Sequence, residues 1–255
     1  MYKLTKFILT DLLQNWIIHL FALFFLFVIM GIFSLEGQED KALVSVLSLV
    51  LLVVPMLVMI FSTIYYYNMS DFVSLMLAQP VQRGQVLGSL LIGLGLVFSL
   101  VVAIGLGYAL WWLHWSSAAW SLLLVALALV WVFVSMAIFA GVVAKDKARG
   151  MGLSLLIWAY FILVFDGVVL LLMYNFSDYP IEKVVLMITF LNPVDLGRVL
   201  VLMRTEAAAL MGYSGAVFKH FFESTWSTIV ALMALLVWVI LPLLLSLRLF
   251  RHKNL

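Results

Sequence analysis

The sequence predicts an all-α integral membrane protein with six transmembrane helices, an N-terminal interfacial helix, and an outer helical segment between the fifth and sixth spans. Of its 255 residues, 67% are apolar and only 10% are charged, whereas soluble domains carry about 25% charged residues. The apolar residues form separate runs long enough to cross the hydrocarbon core as helices. The sequence lacks the alternating segments of about ten residues that are typical of a membrane barrel.

The first element is an amphipathic helix over residues 1–15. Leu4, Phe7, Ile8 and Leu12 share one helical face, whereas lysine, threonine and glutamine side chains lie on others, as in helices at a membrane surface. Six predicted spans follow, at residues 16–35, 42–64, 86–112, 120–144, 151–174 and 226–250. The first apolar run is too long for the core of a cleavable signal peptide, so we interpret it as a permanent span.

Three features inside or beside the spans predict how the helices pack. Pro55 lies in the middle of the second span, where we expect it to kink the helix and free a carbonyl for a neighbouring helix. Ser89 and Gly93 are four residues apart in the glycine-rich third span, as small residues are at a close helix crossing. The tryptophan-rich loop at 111–120 predicts an aromatic belt at one interface.

Lysine and arginine predict the orientation in the membrane. With six spans, one side of the bundle receives Lys3, Lys6, Arg83, Lys145, Lys147, Arg149, Arg248, Arg251 and Lys253. The two short loops on the other side carry only Lys41. Because positive residues favour the cytoplasmic side, we expect both termini, the segment 65–88 and the loop 145–150 to lie in the cytoplasm.

The segment 65–88 is the most polar interval between the second and third spans. Its apolar residues Phe72, Leu75 and Met76 recur at helical spacing and are followed by Pro80, which predicts a short amphipathic surface helix. We hypothesise that this segment contacts a soluble partner that supplies energy; the alternative is an ordinary solvated loop. The candidate contact residues, here and in the loop 145–150, are Asn68, Asp71, Phe72, Gln79, Pro80, Arg83, Lys145, Lys147 and Arg149.

The interval 175–225 is too long for a simple hairpin loop on the outer side. Asn192, Pro193 and Asp195 form a helix start, with an N-cap, a proline in the first turn and an acid near the positive dipole end. The helix is predicted to continue to Gly212, and its four charges argue against a seventh span, because each costs about 2.5–3.5 kcal/mol at the bilayer centre. This segment is either a docking surface for an extracytoplasmic partner or a plain cap over the bundle. The docking candidates are Asn192, Pro193, Asp195, Arg198 and Arg204.

The sequence lacks recognisable catalytic and metal-binding motifs. It has no Cys and no G-x-x-x-x-G-K-[ST] or H-E-x-x-H motif, its four histidines are scattered, and its 13 methionines are dispersed. We therefore predict no enzyme activity, no catalytic residue, no cofactor and no metal. Asp166 is the one acid well inside a span, and such a carboxylate is a functional candidate. The alternatives are a structural hydrogen bond between helices, with His114 or the outer helices supplying the partner, and exposure near the outer headgroups.

Two motifs resemble those of known transporters. The stretch LMLAQPVQRGQVLG at 75–88 resembles the cytoplasmic segment after the second span of type-2 ABC exporter permeases, where P-x-x-R follows a leucine-rich helix; Pro80 and Arg83 stand at those positions. The stretch FLNPVDLGRVLVLM at 190–203, followed by GYSG at 212–215, resembles the Asn-Pro-x-Asp-x-x-Arg region of NosY-type permeases. Those permeases are the membrane subunits in maturation of the copper enzyme nitrous oxide reductase.

The resemblance implies one ABC-type permease domain over residues 1–255, in a bacterial inner membrane. It implies a homodimer with two cytoplasmic ATPase subunits and an extracytoplasmic partner protein, and no nucleic acid. It also implies that the segment 65–88 and the loop 145–150 transmit ATPase motion to the spans. Asn68 and Met69 stand where such families often carry a glutamate pair.

The sequence is also compatible with other functions. A related exporter of a lipid or small hydrophobic compound would share the same layout. An ion-coupled carrier working alone predicts internal repeats and several buried ionisable groups, whereas one buried acid and no obvious repeat are found. A passive membrane anchor predicts that Arg83→Glu leaves function intact.

Overall fold

The computed structural model describes residues 2–69, 83–176, 179, 182–205 and 225–252. Its helices are α1 (Tyr2–Gln14), α2 (Trp16–Leu35), α3 (Glu39–Asn68), α4 (Arg83–Trp112), α5 (Ser117–Val143), α6 (Lys147–Ala159), α7 (Phe165–Asn175), α8 (Glu182–Thr189), α9 (Pro193–Leu202) and α10 (Thr225–His252). A π-helical turn, Tyr160–Val164, joins α6 to α7.

Six helical stretches of this described part are long and apolar enough to cross a membrane. They are α2, α3, α4, α5, α10, and the continuous stretch from α6 through the π-helical turn to α7. The described residues contain no strand. The predicted fold class is therefore confirmed: the chain is an all-α, multi-pass membrane protein, with α1 before the first span and α8 and α9 between the last two.

Two spans are longer than predicted where they meet the basic loop. α3 continues past its predicted end to Asn68, and α6 begins at Lys147, inside the predicted loop 145–150. Asp146 caps α6, because its side chain accepts a hydrogen bond from the Arg149 backbone N–H at 2.8 Å. Most of the predicted loop is therefore the first turn of a helix.

α5 is the central helix of the bundle. It packs against α3, α4, α6, α9 and α10. In its most apolar stretch of 18 residues, 67% of the residues are buried. The corresponding share of buried residues is 17% in α10 and in the α6–α7 stretch, and 28% in α2. The exposed apolar side chains of these three peripheral spans are suited to contact lipid or another protein.

α1 lies against α4 through three of the four residues that its sequence pattern placed on one face. Leu4, Ile8 and Leu12 are buried, whereas Phe7 is 47% exposed. Gly93 of α4 provides the space for this contact, because a Cβ atom at that position would lie 2.5 Å from Ile8 Cγ2. The predicted close crossing at Gly93 is therefore the contact between α4 and the interfacial helix.

The prolines inside the described spans share one feature. Near Pro55 in α3, the Leu52 carbonyl accepts the indole N–H of Trp158, on α6, at 3.1 Å. Near the proline inside α10, the Val239 carbonyl accepts the hydroxyl of Ser135, on α5, at 2.7 Å. A proline lacks an N–H, so the carbonyl four residues before it, that of Leu51 or of Trp238, loses its helical donor. The bonds to Leu52 and Val239 lie one residue later, and they join neighbouring helices at the turn that the proline ring distorts.

We expect Gly93→Ala to destabilise the protein by about 1–3 kcal/mol, because the added methyl group overpacks the contact with Ile8. Gly107→Ala in the same helix is the matched control, since a Cβ atom there meets nothing within 4 Å. Thermal unfolding of the detergent-solubilised protein measures both. Equal midpoints for the two variants would contradict the close approach of α1 and α4.

Candidate functional site

The bundle has two chemically different ends. The basic end carries Lys3, Lys6, Lys145, Lys147, Arg149 and Arg248. The tryptophan end, opposite, carries Trp111, Trp112, Trp115 and Trp120. The predicted site residues fall into two groups, one at the basic end and one in the outer segment near the tryptophan end.

At the basic end, the structure brings together two of the predicted contact residues. Lys147 Nζ, in the first turn of α6, donates a hydrogen bond to Asn68 Oδ1, at the end of α3, at 3.0 Å. Both residues are exposed. A body that docks on this surface would therefore contact the ends of two different spans at one point.

A tyrosine that the sequence reasoning did not select braces this corner. The Tyr67 hydroxyl lies within hydrogen-bond distance of the carbonyl oxygens of Gly141 (3.2 Å) and Ala144 (3.3 Å), at the end of α5. Its ring fills the space that a side chain at Gly150 would need. The run of three tyrosines at the end of the second span was the available signal for this contact.

Two further bonds fix α3 to its neighbours near the same end. The hydroxyl groups of Thr63 and Ser154 lie 2.6 Å apart and join α3 to α6 in a buried position. The Tyr65 hydroxyl donates to Asp11 Oδ2 at 3.0 Å and joins α3 to α1. The end of α3 is thus bonded to α1, α5 and α6.

The other predicted contact residues are not gathered at this point. Arg149 pairs with Asp146, its Nε atom lying 3.2 Å from Oδ2, and Lys145 is exposed. Arg83 begins α4. Asp71, Phe72, Gln79 and Pro80 lie outside the described residues.

The outer segment begins with the predicted helix start. Asn192 is the N-cap of α9, and its Oδ1 atom accepts the Val194 N–H at 2.9 Å; Pro193 is the first helical residue. The amide of Asn192 also donates to the Phe161 carbonyl at 2.8 Å. Since Phe161 lies in the π-helical turn, where the helical ladder is irregular, Asn192 joins α9 to the irregular point of the fifth span.

An arginine between two carboxylates forms the charged part of this outer network. Arg198 Nη1 donates to Asp166 Oδ2 at 3.0 Å and lies 3.0 Å from Asp195 Oδ1. Asn192 Nδ2 donates to Asp195 Oδ2 at 3.1 Å. Asp166 therefore has an interhelical partner from the outer helices, as one of the sequence alternatives predicted. The other named partner, His114, lies beside Glu39 instead, with 3.6 Å between Nδ1 and Oε1.

Burial governs the electrostatics of α9, which lies outside the six long apolar helices. Burial raises the pKa of the Asp195 carboxyl above its ordinary value; the Arg198 guanidinium lowers it and the Asp166 carboxylate adds to the rise. The side chain of Asp195 is only 13% exposed. One guanidinium serving two carboxylates, one of them poorly hydrated, makes Arg198 the residue on which the network depends.

The segment after α9 also contacts the last span. Arg204 Nη2 donates to the Thr228 hydroxyl, on α10, at 3.1 Å. The predicted continuation of the helix is shorter among the described residues, because α9 ends at Leu202. Residues 206–212 lie outside the described part. No group of three or more His, Cys, Asp or Glu side chains with metal-ligand geometry occurs where the structure describes the chain.

Comparisons with known proteins bear on these two groups of residues. A family model described as ABC-2 family transporter protein matches residues 70–255. A protein named probable ABC transporter permease protein NosY, from Stutzerimonas stutzeri, is 29% identical over 191 residues, which cover 70% of this chain and 67% of that protein. A protein of the same name from Pseudomonas aeruginosa is 27% identical over 198 residues, with the same coverage. The interval that the family model matches includes the start of α6 and the whole outer network.

We expect Asn192→Ala to destabilise the protein by about 2–4 kcal/mol, since it removes an N-cap and leaves a buried carbonyl without its donor. Asn175→Ala is the matched control, because that exposed amide donates to the Leu171 carbonyl of its own helix. Thermal unfolding in detergent compares them. If both variants unfold at the wild-type temperature, Asn192 does not hold α9 to the fifth span.

Proposed function

We infer the function from one premise: the chain belongs to the ABC-2 family of transporter proteins. It is a transmembrane permease subunit of an ABC transporter, and such permeases associate with separate ATPase subunits. Within this frame we propose that the basic end lies in the cytoplasm, receives the ATPase, and passes its motion through the fifth span to the outer segment.

The observation that carries the proposal is the Lys147–Asn68 hydrogen bond of 3.0 Å at the basic end. It joins the last residue of α3 to the first residue of α6. A displacement of either helix end is therefore transmitted to the other helix. Tyr67 ties the same corner to α5, the central helix. A displacement at this end therefore moves packed helices together, since the interior of a bundle transmits strain instead of absorbing it.

The fifth span supplies a continuous mechanical path across the bilayer. From Lys147 to Asp166 the helical stretch rises about 28 Å at 1.5 Å per residue. Asp166 then bonds to Arg198 of α9, at 3.0 Å. Motion of the ATPase would thus reach the outer network without a transported molecule in between, which suits signal transfer as well as export.

We propose that the permease works as a homodimer and serves copper-site maturation of nitrous oxide reductase. The apolar, exposed faces of the peripheral spans support a second copy, because they are available to another protein as well as to lipid. The relatives named NosY support the biological role. An accessory protein on the outer side would dock on the accessible charged residues of this segment, Arg198 and Arg204, since Asn192 and Pro193 are buried and Asp195 is mostly so.

Export of a lipid or small hydrophobic compound is the second candidate. The α6–α7 stretch favours it, since an open apolar cavity of about 620 Å³ lies along that helix, beside Leu163, Gly167 and Leu171. A lipid tail would fit such a surface. Recovery of an outer metalloprotein partner with the permease would favour maturation; stimulation of ATP hydrolysis by one lipid class would favour export.

The orientation is directly testable, because the natural chain has no Cys. Lys145→Cys places a thiol at the basic end and Gly37→Cys places one at the tryptophan end; both positions are exposed. With an impermeant maleimide on intact spheroplasts, we expect labelling of Gly37→Cys only, and of Lys145→Cys only after lysis. The reverse pattern would place the basic end outside and refute the proposal.

Charge reversal tests the coupling role. We expect Lys147→Glu to reduce permease-dependent ATP hydrolysis several-fold, because it removes the bond to Asn68 and reverses the charge at the proposed contact with the ATPase. Thermal stability should barely change, since exposed polar pairs contribute only about 0.2–1 kcal/mol. Lys41→Glu, at the opposite end, is the control and should hydrolyse ATP at the wild-type rate.

Affinity purification of the tagged permease accompanies this measurement. A P-loop ATPase should co-purify with wild type. Absence of the ATPase under conditions that preserve the complex would count against an ATPase partner. A wild-type rate of ATP hydrolysis with Lys147→Glu would count only against the proposed contact at the basic end.

A further inference from the structure

A cavity of about 420 Å³ at the tryptophan end has no part in the proposed function. It opens between the turn from α2 to α3 and the end of α4. Its lining residues are Glu36, Gly37, Gln38, Glu39, Trp111, Trp112 and His114. Acidic and aromatic side chains therefore share one concave surface.

The charge of the cavity is negative and has no fixed counter-charge. Glu36 and Glu39 both line it, whereas none of the described lining residues is Lys or Arg. The Glu36 carboxylate is oriented by a hydrogen bond from the Ser45 hydroxyl at 2.9 Å. The Glu39 carboxylate has His114 Nδ1 at 3.6 Å, which is too long for a hydrogen bond. Glu39 also lies in the first turn of α3, where an acid favours the helix start, but that role does not require a cavity.

The aromatic wall is held in place by other rings. The Trp112 ring centroid lies 5.9 Å from that of Phe33. It lies 6.3 Å from that of Tyr108, and the Trp112 and Tyr108 rings are stacked with an angle of 29° between their planes. The Trp111 ring lies 6.0 Å from Tyr108. The indoles keep 63% and 37% exposure at Trp111 and Trp112, so the cavity offers an ordered aromatic surface that a ligand can reach without first arranging it.

The backbone beside the cavity is held in an uncommon conformation. His114 and the following Trp115 have φ angles of 49° and 56°. Two consecutive residues other than glycine in the left-handed region are strained. This turn follows the end of α4 and places His114 beside the cavity.

We propose that this cavity binds an ammonium group, primary or quaternary. Tryptophan faces attract such cations more strongly than tyrosine or phenylalanine faces do, and the two carboxylates supply charge attraction within the same space. A hydrated metal ion would gain nothing from the indoles. Because tryptophan belts lie at the headgroup level of a bilayer, the ammonium group belongs either to an aminophospholipid headgroup or to a small soluble amine.

The test uses the full-length chain in nanodiscs made only of phosphatidylglycerol, with radiolabelled choline as the probe. We expect saturable binding that Glu39→Gln and Trp111→Leu each weaken at least tenfold. Asp40→Asn and Trp120→Leu are the matched controls, because both residues lie near the same end but do not line the cavity; binding to these variants should stay within twofold of wild type. Circular dichroism and thermal unfolding confirm that each variant is folded.

Competition distinguishes the two sources of the ammonium group. Displacement of choline when phosphatidylethanolamine is built into the nanodiscs identifies a lipid headgroup; displacement only by free ethanolamine identifies a soluble amine, and either result supports the proposal. Three results would overturn it: no saturable choline binding, equal loss in the control variants, or displacement by calcium at concentrations where tetramethylammonium has no effect.

Discussion

The bilayer interior offers no water to backbone groups, and this constraint explains the contacts that hold the bundle together. At three irregular turns of the described spans, a side chain from another helix bonds to a backbone carbonyl: Trp158 near Pro55, Ser135 near the proline of α10, and Asn192 at the π-helical turn. An unsatisfied polar group in hydrocarbon costs several kcal/mol, and each of these bonds gives the donating side chain a partner inside the bundle. The same bonds join helices that are neighbours in the bundle.

The molecule therefore has an interior held by interhelical hydrogen bonds and an exterior of exposed apolar side chains. α5 lies at the centre and is mostly buried, whereas α2, α10 and the α6–α7 stretch bury little of their apolar surface. The fifth span is peripheral yet bonded at two separated points, to Asn68 at its basic end and, through Asp166 in its second half, to Arg198 of α9. A helix with one exposed face and two such anchor points is well suited to carry displacement along its length.

The sequence predicted those features that depend on neighbours along the chain. The bounds of α2 and the Asn192 cap of α9 follow from local spacing and are confirmed, and three of the four residues predicted for the apolar face of α1 are buried, Phe7 being the exception. It could not predict which distant residues meet. The Lys147–Asn68 bond joins positions 79 residues apart and the Arg198–Asp166 bond joins positions 32 apart; both depend on how spans pack, which no local pattern specifies. The π-helical turn carries neither Pro nor Gly, so it left no mark in the sequence.

The bond between Asp166 and Arg198 has a consequence for biogenesis. The acid is synthesised 32 residues before its partner, which at about 5–20 residues per second means a delay of roughly 2–6 s. During that delay the nascent fifth span enters the membrane with an unpaired carboxyl group, at an insertion cost of up to about 3 kcal/mol. Only when α9 leaves the ribosome and folds back is the charge matched, so the order of translation makes the outer segment the last step that locks the fifth span in place.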